Sequence, residues 1–213
     1  MSEAGVSDEM PIRLMVASSV YGFETDLDQI CGVLQGYGYE VLNSRLGTIP
    51  THPNKSNLEN CLDAVRQCDA FLGIVRPFYG SGKIGERSIT HEEMRLSIHL
   101  NKPRWFLVHG HVTFARSLLK QFREFNQPKP WVPKRLLEIL GCSRFQFQKT
   151  SVMDDLRVID MYEDVIRNDQ PVLQRTGNWA QEFYTLTQAL PYLRTVFTDV
   201  SRVRQSVEEM NSL

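Results

Sequence analysis

One glutamate, Glu93, has the position that a catalytic carboxylate would need. It lies in the stretch SITHEEMRLSIHLNKP, residues 88–103, where apolar residues recur at helical spacing at Ile89, Leu96 and Leu100. The helix face that they define also contains Glu93. Glu93 is therefore either an acid of the first turns, which the helix dipole favours, or a carboxylate turned towards a site where it does chemistry.

Three other patterns have the residue types of known sites but lack the context of those sites. Residues 80–85, GSGKIG, fit G-x-G-x-x-G, but the predicted helix begins only near Ser88. A turn that can present backbone N–H groups to phosphate is therefore favoured over a dinucleotide fingerprint. Arg95 stands where H-E-x-x-H needs its second His, which excludes a zinc protease of that type. His109 and His111 have no third ligand at a recognisable spacing, so no metal site is expected.

Strands and helices alternate in the first half of the chain. Segments of helical spacing separate four short apolar runs, which predict strands at residues 12–17, 39–42, 69–75 and 104–108. This alternation is typical of a doubly wound, mainly parallel α/β sheet of the flavodoxin type. Ligands bind such sheets outside the carboxyl ends of the strands, and the start of the Glu93 helix faces the same space.

Hydroxyl side chains also lie near this predicted ligand site. Ser18 and Ser19 follow the first strand, and Thr90 lies in the helix that contains Glu93. None of them lies in the G-x-S-x-G elbow of a hydrolase nucleophile. Helix capping and hydrogen bonding to a substrate are therefore the better interpretation of all three.

The second half of the chain is predicted to be mostly helical. Helical spacing covers residues 114–122, 136–140, 152–167 and 179–209, with a proline-rich break at 127–133 and an edge-strand pattern at 144–148. The sequence thus predicts a flexible N-terminus at 1–11, an α/β domain at 12–111 and a helical C-terminal extension at 112–213. The apolar stripes of the extension need a partner surface, which is either the sheet or a second protomer, so a homo-oligomer is expected.

The composition limits the partners and the cellular location that can be expected for this protein. The chain has 213 residues, 42% of them hydrophobic, with 24 basic and 25 acidic residues. This balance gives no electrostatic reason to expect nucleic acid or a membrane surface as a partner. The four cysteines form no C-x-x-C pair, which favours free buried thiols in a reducing compartment. With no signal peptide and no apolar run long enough to span a bilayer, the expected location is the cytoplasm.

Three segments in the right order carry a family resemblance. They are VASSV at 16–20, DAFLGIV at 69–75 followed by FYGS at 78–81, and SITHEE at 88–93 followed by NKP at 101–103. Together they resemble a TIR-like family long filed as a domain of unknown function. That family looks like a relative of the nucleoside 2-deoxyribosyltransferases and of the TIR (Toll/interleukin-1 receptor) domains. The resemblance covers about residues 12–109.

The resemblance implies a function and a site. In deoxyribosyltransferases a T-x-x-E glutamate attacks the sugar carbon that bears the base, and NAD-cleaving TIR domains use a glutamate on the equivalent helix. Matching the motif assigns that role to Glu93. The implied substrate contacts are Ser18, Ser19, Tyr21, Arg76, Phe78, Tyr79, Gly80 and Thr90. The implied activity is that of an NAD glycohydrolase or ADP-ribosyl cyclase, with NAD as substrate and no cofactor. By resemblance, its nucleotide product would signal to an effector protein in immunity, such as defence against phage.

Chemistry favours NAD among the possible substrates. Nicotinamide is a cation in NAD and leaves as a neutral molecule, so one carboxylate suffices, whereas other leaving groups usually need a second carboxyl group as acid. The helix N-terminus is expected to lower the pKa of Glu93 and keep it ionised. Two alternatives remain: a non-catalytic TIR-like scaffold, and a deoxyribosyltransferase. The second departs from its usual pattern, because Arg87 precedes Ser88 where that family has an acid.

Overall fold

Parallel strands and helices alternate in this computed structural model, which describes residues 10–81, 87–124 and 149–212. The strands are β1 (Arg13–Ser18), β2 (Glu40–Leu42), β3 (Ala70–Val75), β4 (Arg104–His109) and β5 (Ala180–Phe183). They form one sheet in the order β2-β1-β3-β4-β5, and every pair of neighbours is parallel. The predicted doubly wound, flavodoxin-like α/β architecture is confirmed.

Helices cover both faces of this sheet. They are α1 (Glu24–Gly36), α2 (Asn57–Gln67), α3 (Ile89–His99), α4 (Gly110–Glu124), α5 (Arg157–Val165), α6 (Leu186–Phe197) and α7 (Val200–Asn211). One core lies between the sheet and α1, α6 and α7, and a second core lies between the sheet and α2, α3, α4 and α5. No helix in the described ranges has both the length and the hydrophobicity that crossing a membrane requires.

The central strands form because their side chains are apolar on both faces. All six residues of β3 and five of the six in β1 are buried, as expected for strands between two helical layers. Gly73 of β3 lies beside Phe106 of β4, and a Cβ atom on Gly73 would come within 2.6 Å of that ring. A larger residue at position 73 would therefore push β3 and β4 apart.

The helix predicted at residues 179–209 is confirmed only in part, because the first residues of this range are not helical. The structure has instead β5, which pairs with β4 from Phe106 to His109, and then two helices. Thr185 and Gln188 form a capping box that starts α6, and the Asp199 side chain caps α7. The helical spacing that began at Trp179 was accidental, since Trp179 precedes the strand and is 67% exposed.

The C-terminal part shares the sheet and both cores of the first half. It contributes the edge strand β5, and α6 packs in the same core as α1. The helix predicted at 152–167 is shorter than expected. It corresponds to α5, which spans only Arg157–Val165, and residues 149–156 before it are not helical. The segments predicted at 127–133, 136–140 and 144–148, and residues 1–9 of the N-terminus that was predicted to be flexible, lie outside the described residues.

The described cysteines are free and buried, as the sequence predicted. They are Cys31, Cys61 and Cys68. Cys142 lies outside the described residues. Burial raises the pKa of the Cys31 and Cys61 thiols to about 12, so these side chains are protonated at neutral pH.

Candidate functional site

A cleft of about 690 Å³ opens at the carboxyl ends of β1 and β3. Between these two neighbours the strand order reverses, because β2 lies on the far side of β1 while β4 lies on the far side of β3. The loops that follow β1 and β3 therefore diverge and leave a space, which is where ligands bind in open α/β sheets. Residues 18–21 contribute to the cleft walls from the first loop, and Phe78, Gly80 and Ser81 contribute from the second.

Glu93 lies on the wall of this cleft. Helix α3 starts at Ser88, whose side chain accepts a hydrogen bond from the His91 N–H at 3.3 Å. Glu93 falls in the second turn, packed towards α2, and is only 4% exposed. The inward orientation predicted for it is confirmed. The residues that were taken to define the inward face are less buried than Glu93, however: Ile89 and Leu96 are half-buried, and Leu100 caps the C-terminus of α3 and is 41% exposed.

The carboxyl group of Glu93 has few partners. A hydrogen-bonding interaction with the Cys61 thiol on α2 lowers its pKa, and no Lys, Arg or His of the described ranges forms an ion pair with it. Burial raises the pKa of Glu93 to about 7, and the Cys61 hydrogen bond only partly opposes that rise. The prediction of a lowered pKa is therefore wrong, because the loss of water outweighs the dipole of a helix whose first turn has already ended.

Ser19, Gly80 and Thr90 meet near Glu93. The Ser19 side chain is 5% exposed, and its Oγ is one of two buried side-chain polar atoms in the described residues without a hydrogen-bond partner. Gly80 has φ +86°, and a Cβ there would lie 3.2 Å from the Ser19 Cβ and 4.0 Å from the Thr90 Oγ1. Only glycine lets the loop approach this closely without strain. Ser18 also lines the cleft, and its Oγ donates to the Ser19 carbonyl.

Two aromatic side chains stand at the mouth of the cleft. The rings of Tyr21 and Phe78 make an edge-to-face contact with centroids 5.9 Å apart, and both residues line the cleft. Tyr21 is 74% exposed, which is unusual for so large an apolar ring. A flat heteroaromatic base could stack against such a pair.

Arg76 does not line the cleft. Its guanidinium group donates to the carbonyl oxygens of Ser19 at 2.9 Å and Tyr21 at 3.0 Å, and it lies 4.3 Å from the centre of the Phe23 ring. Burial lowers the pKa of Arg76 to about 10, which leaves it a cation at neutral pH. The structure therefore places Arg76 behind the β1–α1 loop, where it fixes residues that do line the cleft.

Tyr79 is also buried away from the cleft. Its hydroxyl group makes a 2.7 Å hydrogen bond with the His91 Nδ1, and the His91 Nε2 lies 3.0 Å from the Asp164 Oδ2. Arg95 donates to the same Asp164 oxygen. This chain of contacts joins the β3–α3 loop and α3 to α5. Its geometry gives Tyr79 a structural role.

Several cleft residues were not predicted from the sequence. Asp154 and Lys149 come from the C-terminal part, and Asn57, Asn60 and Cys61 come from α2. Cys61 had a local signal in the sequence, because it recurs at helical spacing with Leu58 and Val65. Asp154 had none, because its contact is with Tyr79, 75 residues earlier. Within the described ranges, no group of three His, Cys, Asp or Glu side chains is arranged to hold a metal ion.

Comparison with known families adds one result. The model of the family described as a domain of unknown function, DUF4062, matches residues 13–129, which is more than half of the chain. The chain belongs to the DUF4062 family. The matched segment begins with β1 and includes Ser19, Gly80 and Glu93, whereas Lys149 and Asp154 lie beyond it. No curated protein and no solved structure matches the chain.

Proposed function

We propose that this DUF4062 protein is a TIR-like NAD glycohydrolase or ADP-ribosyl cyclase, with Glu93 as its catalytic carboxylate. The observation that carries the proposal is a buried glutamate, without a cationic partner in the described residues, on the wall of a cleft of about 690 Å³. A carboxyl group in such a place destabilises the fold. Strongly perturbed acids in clefts are typical of functional sites.

The size and lining of the cleft suit a dinucleotide. Cofactor sites have volumes of about 300–1,000 Å³, and this cleft falls within that range. The free Ser19 hydroxyl group supplies a hydrogen-bonding partner for a ribose, and the Tyr21 and Phe78 rings supply a surface for a base. The likeness to TIR domains and deoxyribosyltransferases rests on the three motif segments. The order of the strands is compatible with it, but a shared fold does not by itself imply a shared function.

The reaction breaks the bond between the ribose C1′ and the nicotinamide nitrogen. The bonding electrons move to the ring, so nicotinamide leaves as a neutral molecule and needs no proton. The ribose is left as an oxocarbenium-like cation, which the Glu93 carboxylate stabilises or traps. In hydrolysis, water then adds its oxygen to C1′ and releases a proton. In cyclisation, a nitrogen of the adenine of the same molecule takes the place of water.

Release of nicotinamide from NAD by the purified full-length protein tests the proposal. Glu93→Gln should lower the rate at least about 100-fold, because the carboxylate interacts with charge that develops in the transition state. Glu92→Gln is a matched control, since the Glu92 carboxylate pairs with Arg87 at 3.3 Å and is not in the cleft. Its rate should stay within about twofold of the wild type. A Glu93→Gln protein that releases nicotinamide at the wild-type rate would rule out the assigned role.

A deoxyribosyltransferase-like reaction is the second candidate, and two observations favour it. The pKa of Glu93 is near 7, so the carboxyl group can carry a proton at neutral pH. The cleft also contains a second carboxyl group, that of Asp154, and departure of an uncharged base usually requires two carboxyl groups. Exchange of free bases between deoxynucleosides would distinguish this reaction from cleavage of NAD. Two further predictions from the sequence remain predictions: that the protein forms a homo-oligomer, and that its nucleotide product acts on an effector protein.

A further inference from the structure

Asp154 has one oxygen held in place and one oxygen free. The Tyr79 N–H donates to the Asp154 Oδ1 at 2.7 Å, and the Asp154 N–H donates to the Pro77 carbonyl at 3.3 Å. These two bonds fix the side chain against the β3–α3 loop. Within the described residues no hydrogen bond or ion pair engages Oδ2. Because Asp154 lines the cleft, that oxygen belongs to a preorganised acceptor at the ligand site.

The structural contact does not require a carboxylate. The amide oxygen of an asparagine would accept the Tyr79 N–H equally well, and the bond to Pro77 uses only the backbone. An asparagine there would therefore keep both contacts and lack only the charge. The charge of Asp154 interacts with the Arg157 and Arg76 guanidinium groups, but its Oδ2 accepts no hydrogen bond within the described residues and can accept one from a ligand.

The side chains that line the cleft carry both signs of charge, which suits a ligand that also carries both. Glu93 and Asp154 are acidic, while Lys149 is basic and exposed. The Ser19 hydroxyl group is more than nine-tenths buried, lines the same cleft and has no partner in the described residues. It is an independent indication that a ligand binds here. A dinucleotide with a pyridinium base combines a positive ring with negative phosphates.

We propose that Asp154 is a specificity-determining residue of this cleft, which selects a nucleotide whose base carries a positive charge. The inference rests on the proposed function, because it assigns the ligand of the same site. Tyr21 adds to the selection, since a cationic ring is attracted to an aromatic face as well as to a carboxylate, whereas the Phe78 ring already lies 5.4 Å from the Arg76 guanidinium group. The C-terminal part of the chain then sets substrate choice, while α3 supplies the reacting carboxylate.

The test compares binding of NAD⁺ with binding of NADH, whose nicotinamide ring is neutral. Titration calorimetry with Glu93→Gln protein avoids turnover, so that affinities alone are measured. This protein should bind NAD⁺ more tightly than NADH, and adding Asp154→Asn should reduce that preference about 10-fold, the effect of one charge pair in a partly solvated cleft. Asp154→Asn retains the acceptor for Tyr79. Asp169→Asn, which removes the same charge from an exposed side chain, is the control and should leave the ratio unchanged.

Each outcome has a definite meaning. A preference for NAD⁺ that survives Asp154→Asn unchanged overturns the proposal, and so does failure of the Glu93→Gln protein to bind NAD⁺ at all. If Asp154→Asn and Asp169→Asn reduce the preference for NAD⁺ by the same factor, the effect comes from the net charge of the protein. That result also overturns the proposal. If the wild type fails to release nicotinamide but the preference depends on Asp154, the proposed reaction fails while the role of Asp154 stands.

Discussion

Replacing Glu93 with glutamine should stabilise the protein, and the gain should depend on pH. Glu93 is almost completely buried, and its pKa is about 7 in the folded chain against an ordinary value of 4.5. Below pH 4.5 the group is neutral in both the folded and the unfolded state, so burial costs no charge. Above that value the unfolded chain ionises while the folded chain does not. The wild type therefore loses stability as the pH rises towards 7, and the loss levels off above the folded pKa.

The size of the effect follows from the difference between the two pKa values. At about 1.4 kcal/mol per unit, a rise from 4.5 to about 7 costs on the order of 3 kcal/mol once the pH exceeds the folded value. Glutamine has no charge to lose. Between pH 5 and pH 8 the advantage of Glu93→Gln over the wild type should grow by about 2–3 kcal/mol. For a chain of this size that corresponds to about 5–10 °C in Tm.

Thermal or urea unfolding of both proteins at pH 5, 6, 7 and 8 measures this growth. At each pH the free energy of unfolding of the wild type is subtracted from that of Glu93→Gln, and only the change of this difference with pH is used. A pH-independent contribution from the altered interaction with Cys61 therefore cancels. Glu92→Gln is again the matched control, and its difference from the wild type should stay within about 0.5 kcal/mol throughout. If the Glu93→Gln difference is the same at pH 5 and pH 8, the carboxyl group is not buried as argued, and the chemical role assigned to it loses its basis.

Three further predictions concern the site. If the Glu93 carboxylate stabilises the cation, kcat/KM for NAD should rise about fivefold from pH 6 to pH 7 and less than twofold from pH 7 to pH 8, whereas a fall with pH would make Glu93 a general acid. Cys61→Ala should move that profile to higher pH, since its thiol lowers the pKa of Glu93, and Cys61→Ser should restore it; identical profiles for all three would argue against the hydrogen bond. Gly80→Ala should reduce nucleotide affinity in a calorimetric titration at least about 10-fold, because φ +86° strains an alanine and its Cβ, 3.2 Å from the Ser19 Cβ, would displace Ser19. Unchanged affinity would contradict this.

The sequence was sufficient where the physical cause is local. The runs LMVA in β1 and AFLGIV in β3 are apolar at every position, which only a strand covered on both sides explains well. The inward orientation of Glu93 was predicted correctly, but not by the right neighbours, since Thr90, Met94 and Ser97 are buried with it while Ile89 and Leu96 are only half-buried. Its pKa was not predicted correctly, because the water that it loses is displaced by α2 and by the cleft wall, and no pattern within α3 describes those neighbours.

The sequence was insufficient where the cause is a distant contact. The edge strand β5 has the sequence AQEF, in which only Phe183 is buried, so its identity depends on the register with β4. Arg76 looked like a ligand contact because a cation at the end of a strand often is one. Its actual partners are backbone carbonyls of the preceding loop, which carry no signature in the sequence.

The segment that defines the family is shorter than the unit that holds the site together. The match ends at residue 129, yet the second core contains Val158, Ile159 and other apolar residues of α5. The hydrogen bonds that tie Tyr79 and His91 to the rest of the molecule also end on Asp154 and Asp164. Without these partners a buried imidazole and a backbone N–H would lose their hydrogen bonds beside the cleft. The geometry of α3, and with it the position of Glu93, therefore depends on residues that the family model does not include.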